Sequence, residues 1–255
     1  MTNTDIIIDL IRELQREDVP DDIVVAVKAC VLDYLGVAFA GAHDLERKIH
    51  AYLDMKPEKT GSSIIIGMNK KASMEDAALI NGITAHYFEL DDGSRFGMVH
   101  LGAPVLSALF SVAGVSMVSG ERLIRAALVG YEVTNRLASA IQPEHKKRGF
   151  HTTGTCGCIG AAAAVATALD FDDISLKNTI SAAVASASGL LEMIEDTSQL
   201  KPFNAGKAAQ NAVTSAMIGR CGFAGPVDPV GGERGFLNVM ANGINREWFS
   251  REDTK

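Results

Sequence analysis

The sequence predicts an all-α protein, a large bundle of closely packed helices, and three observations carry that prediction. Apolar residues recur at helical spacing along most of the chain. Several of these stretches are built largely from Ala, Gly and Ser, whose small side chains let helix axes come close. Only one stretch, SSIIIG at 62–67, reads as a strand, and it is short.

Taken in order, Ile7, Leu10, Ile11 and Leu14 sit at the spacing of one helix face, with Asp5 early in the first turn, where a carboxylate complements the helix dipole. Val19-Pro20-Asp21-Asp22 ends this helix and starts the next. Val25, Val27, Val31, Leu32, Leu35 and Val37 make the second helix, to about Gly41, apolar all round, which predicts a central position. Residues 73–90 read as a helix with Met74, Ala77, Ala78, Ile80 and Ile83 on its apolar side. Residues 103–120 and 122–137 read as an antiparallel pair turning at Ser119-Gly120. Three small-residue helices follow at 160–169, 175–194 and 204–218, the last with Asn204 as N-cap and Gly219 as stop. The helical domain is expected to span 1–245, and the charged segment 246–255 reads as a tail leading out of it.

With 47% apolar and 22% charged residues in 255, the chain lies in the globular range and can bury a large core. Its 24 basic against 31 acidic residues give −7, with no basic stripe, which argues against a nucleic-acid partner. An anionic small molecule stays open, because only the field inside a site matters. The N-terminus MTNTDIIIDLIREL lacks the pattern of a signal peptide, and the longest apolar run, 103–118, falls short of the ~20 residues of a spanning helix. No membrane association is expected. The 4 cysteines form no CxxC pair and no zinc ladder, so reduced thiols, a cytoplasmic location and no metal or cofactor are expected.

Three segments share one design, a polar or cationic residue just ahead of a helix start. In ELDDGSRFGMVHLGAP (89–104), Glu89, Asp91 and Asp92 close a helix, Arg95 and His100 follow the Gly93 turn, and Pro104 is placed at the first position of the next helix. In RGFHTTGTCGCIG (148–160), His151 precedes Thr152, Thr153 and a run of glycines. In LKPFNAGK (200–207), Lys201 and Lys207 flank a helix start. Helix N-termini offer unpaired N–H groups and partial positive charge to carboxylates or phosphates. If the three converge, they make a site for a carboxylate substrate.

Each piece also has a plainer reading. The acidic cluster can be a solvated helix end, His100 and His151 can simply bond backbone, and Lys201 can be a surface lysine. Gly154, Gly157 and Gly160 lack the preceding strand that a phosphate loop needs. The basic run His145-Lys146-Lys147-Arg148 reads as a solvated helix end, and His86, three residues before Glu89 on the same helix face, as a further residue that lines the site.

Together, VLDYLGVAFAG (31–41), ALINGITAHYFELDD (78–92), HLGAPV (100–105), GFHTTGTCGCIGAAA (149–163), KPFNAGKAA (201–209) and GFAGPVDPVGGERGF (222–236) resemble the MmgE/PrpD family in order and spacing. That family includes 2-methylcitrate dehydratase, cis-aconitate decarboxylase and iminodisuccinate epimerase. The resemblance implies an all-α domain followed by an α/β lid domain, a homodimer built on the helical part, and a site between the two domains. It places that site on Glu89, Asp91, Asp92, His100, His151 and Lys201. The chain departs from its relatives in having His100-Leu101-Gly102 for His-Pro-Gly, Glu89 for Asp, and Gly93 for Thr. The lid is absent from these 255 residues, so the chain is expected to be a fragment or half of a split enzyme.

The function so implied is metal-independent lyase chemistry, dehydration or decarboxylation, on a small di- or tricarboxylate such as 2-methylcitrate or cis-aconitate. Asp91, Asp92, His100, His151 and Lys201 are the expected catalytic residues, and Glu89, Arg95, Thr152, Thr153 and Lys207 the substrate-binding ones. A histidine with an ordinary pKa near ~6.5 serves as acid or base near neutrality. The rivals are an epimerase of an iminodicarboxylate, using much the same residues, and a non-catalytic dimerising scaffold. A separate lid-domain chain is a further expected partner.

Overall fold

The computed structural model describes residues 1–56 and 61–249, and among these are eleven α-helices and one two-stranded hairpin. Helix α1 (Asn3–Arg16) opens with a reciprocal cap. The Thr2 hydroxyl accepts from the Asp5 N–H, and the Asp5 carboxylate accepts from the Thr2 N–H, an arrangement that stabilises a helix start by about 1 kcal/mol. Ile7, Leu10 and Ile11 are buried beneath it, as their spacing predicts.

Helix α2 (Asp21–Asp44) is not central. Val25 is 65% exposed, Leu32 73% and Phe39 57%, and only Tyr34, Ala38, Gly41 and Ala42 are buried. Its bulky Val, Leu and Phe side chains cannot be surrounded as closely as the small-residue helices are. Among the described helices it is also the one long and apolar enough to cross a membrane by length and composition, which the 103–118 run is not. In this fold it packs against the side of a later helix, with Gly41 meeting the Thr84 backbone.

After α3 (Glu46–Asp54), β1 (Ser63–Ile64) pairs antiparallel with β2 (Lys71–Ala72). The strand stops short of 67 because Asn81 takes over the backbone there, donating to the Ile64 carbonyl and accepting from the Ile66 N–H. Helix α4 (Met74–His86), capped by Ser73, ends before the acidic cluster. Glu89 adopts φ +56, which no α-helix contains, so His86 and Glu89 do not share a helix face. Helix α5 (Gly102–Ser116) ends in left-handed Met117, and Ser119 caps α6 (Gly120–Ile141). Pro104 lies inside α5, not at its first position.

After the short α7 (Glu144–Lys147), helix α8 (Thr152–Ala168) begins at the Thr-Gly run, not at 160, and every residue in it is buried. Its glycines are helix contacts: a Cβ on Gly157 would lie 2.7 Å from Pro104, and one on Gly160 1.9 Å from the Thr134 hydroxyl. Helix α9 (Asp173–Ser186) stops eight positions short of the expected 194, and Leu191–Ile194 forms a separate 3-10 turn. Helix α10 (Lys201–Arg220) starts ahead of Asn204 and runs through Gly219. It packs against α4, α8 and α9, while α8 also meets α5 and α6. The centre of the bundle is therefore α4, α8 and α10. Helix α11 (Phe236–Met240) and a 3-10 turn (Arg246–Phe249) follow. Trp248 of that turn lies against Phe96; residues 250–255, the remainder of the expected tail, lie outside the described residues.

Candidate active site

The loop between α4 and α5, the segment entering α8, and the start of α10 line one cavity of about 450 Å³. Gly93, Arg95 and His100 come from the first, Phe150, His151, Thr152 and Thr153 from the second, and Lys201 from the third. Lys146 of α7 and Leu191 and Ile194 of the 3-10 turn complete the wall. Ending α9 early is what brings that turn to the site: Phe150 bridges Leu190, and the His151 N–H donates to the Gly189 carbonyl at 3.0 Å.

His100 is oriented from two sides. Its backbone N–H donates to the Thr153 hydroxyl at 3.1 Å. Its Nδ1 lies 3.1 Å from the Asp91 carbonyl oxygen and 3.4 Å from the Asp91 carboxylate. Both are acceptors, so Nδ1 carries the hydrogen and Nε2 is the basic nitrogen. The Asp91 carboxylate also accepts from His86 Nδ1, at 3.0 Å from each oxygen. Burial alone would push the Asp91 pKa up, but the bonds from His100 and His86 outweigh it and hold the carboxyl at about 2. In return the Asp91 bond lifts the His100 pKa above the ordinary imidazole value, against the effect of burial.

His151, at the N-cap of α8, behaves oppositely. Burial pushes its pKa down to about 3, with the neighbouring His86 and Lys201 acting in the same direction. It is neutral near neutrality. The Lys201 ammonium pairs with the Glu89 carboxylate; the lysine is mostly buried and the glutamate half-exposed. Thr152 accepts from the Gln142 side chain at 2.6 Å.

Four expected site residues do not line the cavity: Glu89 and Asp91 reach it only through their partners Lys201 and His100, and Lys207 and Asp92 lie elsewhere. Lys207 does not line the cavity; its ammonium donates to Gln210 one turn along its own helix. Asp92 does not line it either. Its carboxylate accepts from the Gly102 N–H at 2.8 Å and the Tyr131 hydroxyl at 2.6 Å. The N-terminus of α5 is thus closed by the chain's own carboxylate and is not open to a ligand. Burial pushes the Asp92 pKa up against those two bonds.

His145 of the basic run is buried between the Met240 carbonyl and the Thr155 hydroxyl, so the run is not wholly solvated, and Lys146 beside it lines the cavity. Neither role has a signal in the basic run itself. His86, Asp91 and His100 offer ligand atoms within 4.8 Å of one another, a spacing a divalent ion can use. Each imidazole Nδ1 already has Asp91 as acceptor, so hydrogen bonds account for the facing Nδ1 and carboxylate atoms.

The sequence profile of the MmgE/PrpD N-terminal domain matches residues 5–248. A cis-aconitate decarboxylase-like protein, oryM, of Aspergillus oryzae is 29% identical over 84% of this chain and 46% of its own length. Cis-aconitate decarboxylase of Aspergillus terreus is 27% identical over 92% of this chain and 49% of its own length. The chain spans about half the length of these relatives. With a profile match over nearly all its residues and a helical fold to accord with it, the chain belongs to the MmgE/PrpD family, as its N-terminal domain.

Proposed function

We propose that the cavity binds a small di- or tricarboxylate and that the chain is the helical part of a lyase which dehydrates or decarboxylates it by acid–base chemistry of side chains alone. The observation that carries this reading is that His100, His151 and Lys201, from three segments far apart in sequence, line one cavity together with Arg95 and Lys146. Three cations and two imidazoles suit a multiply charged organic acid. The names of the Aspergillus relatives point to the same substrate class.

In this reading His100 Nε2 takes the proton alpha to a substrate carboxylate. Its hydrogen-bonded Asp91 makes it a stronger base and stabilises the imidazolium that forms. The electron pair left on carbon spreads into the carboxylate as enolate-like charge, which the Lys201 ammonium offsets. The substrate carboxylate takes the place of Glu89 on that ammonium. Arg95, Lys146 and the positive end of the α8 dipole at Thr152 and Thr153 hold the remaining carboxylates. In dehydration the electron pair then expels the neighbouring hydroxyl, which leaves as water with a proton from the Lys201 ammonium; in decarboxylation no α-proton is taken, the electron pair of the breaking C–CO2 bond forms the enolate-like charge as carbon dioxide leaves, and the carbon takes a proton from the His100 imidazolium.

Turnover of cis-aconitate and 2-methylcitrate, assayed with and without a lid-domain chain, tests the reading. Activity that falls in a His100→Asn variant supports it. A folded protein that turns over neither compound in either format contradicts it.

A homodimer through the helical part and a cytoplasmic location belong to the same proposal. The exposed Val25, Leu32 and Phe39 of α2 support pairing with a second copy, and the four unpaired thiols suit a reducing compartment.

A further inference from the structure

We propose that the single carboxylate of Asp91 sets the hydrogen positions of three histidines, and that one buried water molecule between His86 and His151 carries its influence to His151. The consequence for catalysis rests on the polycarboxylate reading above; the hydrogen positions do not.

His86 is fully buried, and its Nδ1 faces both oxygens of an ionised carboxylate at 3.0 Å. Nδ1 therefore carries the hydrogen, and in the neutral ring Nε2 is a bare acceptor. That Nε2 is buried with no hydrogen-bond partner among the described residues. The same is true of Nδ1 of His151, itself 6% exposed. The two rings are neighbours, with centroids 6.0 Å apart and planes tilted by 40°, and no direct bond joins them. A buried polar atom left alone costs about 1–3 kcal/mol, and nearly all such atoms in folded proteins find a partner or a bridging water. One water between the two rings satisfies both atoms, and in the proposed arrangement it donates to His86 Nε2 and accepts from the His151 Nδ1–H.

The hydrogen bonds then run in one direction, from His151 through the water and His86 to Asp91, while His100 donates to Asp91 from the other side. Above the raised pKa of His100, both cavity imidazoles hold their hydrogen on Nδ1 and leave Nε2 bare. Asp91 does not pass a proton along this chain; it orients and polarises it. With both imidazoles set as acceptors, proton donation to the leaving hydroxyl falls to the Lys201 ammonium. The other titratable groups around the two rings are Glu89, paired to Lys201, and His145, bonded to Thr155. His86 is thus a positioning residue.

The ring nitrogens of the 15N-histidine-labelled chain report this directly, because protonated and bare imidazole nitrogens differ widely in shift. At a pH above the raised pKa of His100, His86, His100 and His151 are each expected in the Nδ1–H form. His86→Asn keeps an amide N–H for Asp91 but removes the Nε2 acceptor. It is expected to leave His100 unchanged and to turn His151 into a mixture of forms. A wild-type His151 in the Nε2–H form overturns the proposal, and so does a His86→Asn spectrum in which His151 is unmoved. Should that variant fail to fold, the wild-type spectrum still decides. A chain with the expected spectrum but no turnover of any polycarboxylate sinks the proposed function and leaves the hydrogen positions standing.

Discussion

Gly82 of α4 and Gly206 of α10 meet so closely that a Cβ on Gly82 would lie 2.6 Å from the Gly206 Cα, and one on Gly206 2.3 Å from the Leu79 carbonyl oxygen. This contact sets the approach of the helix that carries Lys201 to the one that ends at His86. Gly206→Ala must push backbone against backbone. Overpacking of this kind costs about 1–3 kcal/mol, so the urea midpoint is expected to fall by a corresponding amount at unchanged slope. An unchanged midpoint would mean that the two helices do not approach in this way.

Lys201→Ala is expected to weaken cis-aconitate binding about 10- to 100-fold, the equivalent of one lost charge-assisted hydrogen bond. The melting temperature should stay nearly constant, because its Glu89 partner is half-exposed and such pairs contribute little to stability. Calorimetric titration measures the first and a thermal melt the second. Equal affinity in variant and wild type would remove Lys201 from the site.

Asp92→Asn separates a structural carboxylate from a catalytic one. The substitution turns one of two acceptors into a donor beneath the Gly102 N–H and the Tyr131 hydroxyl. A loss of about 1–3 kcal/mol in unfolding free energy is expected, with substrate affinity intact. Full stability with abolished turnover would return Asp92 to the chemistry.

Stability should peak near pH 6.5. His151 is held neutral to about 3, whereas in the unfolded chain it takes a proton below its ordinary 6.5. Its contribution is therefore complete above 6.5 and is lost as the pH falls towards 3, at up to about 1.4 kcal/mol per unit. Asp91, held at about 2 against an ordinary 3.8, adds a further loss below about pH 4. His100 is raised above 6.5, so its contribution is complete below that value and is lost as the pH rises through its folded pKa. His151→Gln should flatten the acid arm between pH 6.5 and 4 in urea unfolding series. A wild-type profile level over that range would show that His151 is not buried as a neutral ring.

The fold class could be read in the sequence because apolar spacing at helical period is a local property. The helix ends were harder, since groups distant in sequence decide them. The Asn81 side chain shortens β1, and the pairing of Phe150 with Leu190 accompanies the early end of α9. Helix α2 was misplaced because an all-round apolar pattern marks burial without saying what does the burying. At the site, His100, His151 and Lys201 stand out as polar residues ahead of small-residue helices. Lys207 and Asp92 look the same in sequence, and only their partners, Gln210 and Tyr131, set them apart. His86 was marked by its spacing to Glu89, a helix-face argument that the structure does not bear out, and Lys146 had no pattern of its own.

The most direct test of the account follows the ring nitrogens of His100 and His151 while cis-aconitate is added to the chain. If one cavity holds the acid, both Nε2 signals shift together along a single saturable curve, and that curve weakens in Lys201→Ala. A ligand that binds while one of the two imidazoles stays unperturbed would contradict a shared site, whatever the affinity.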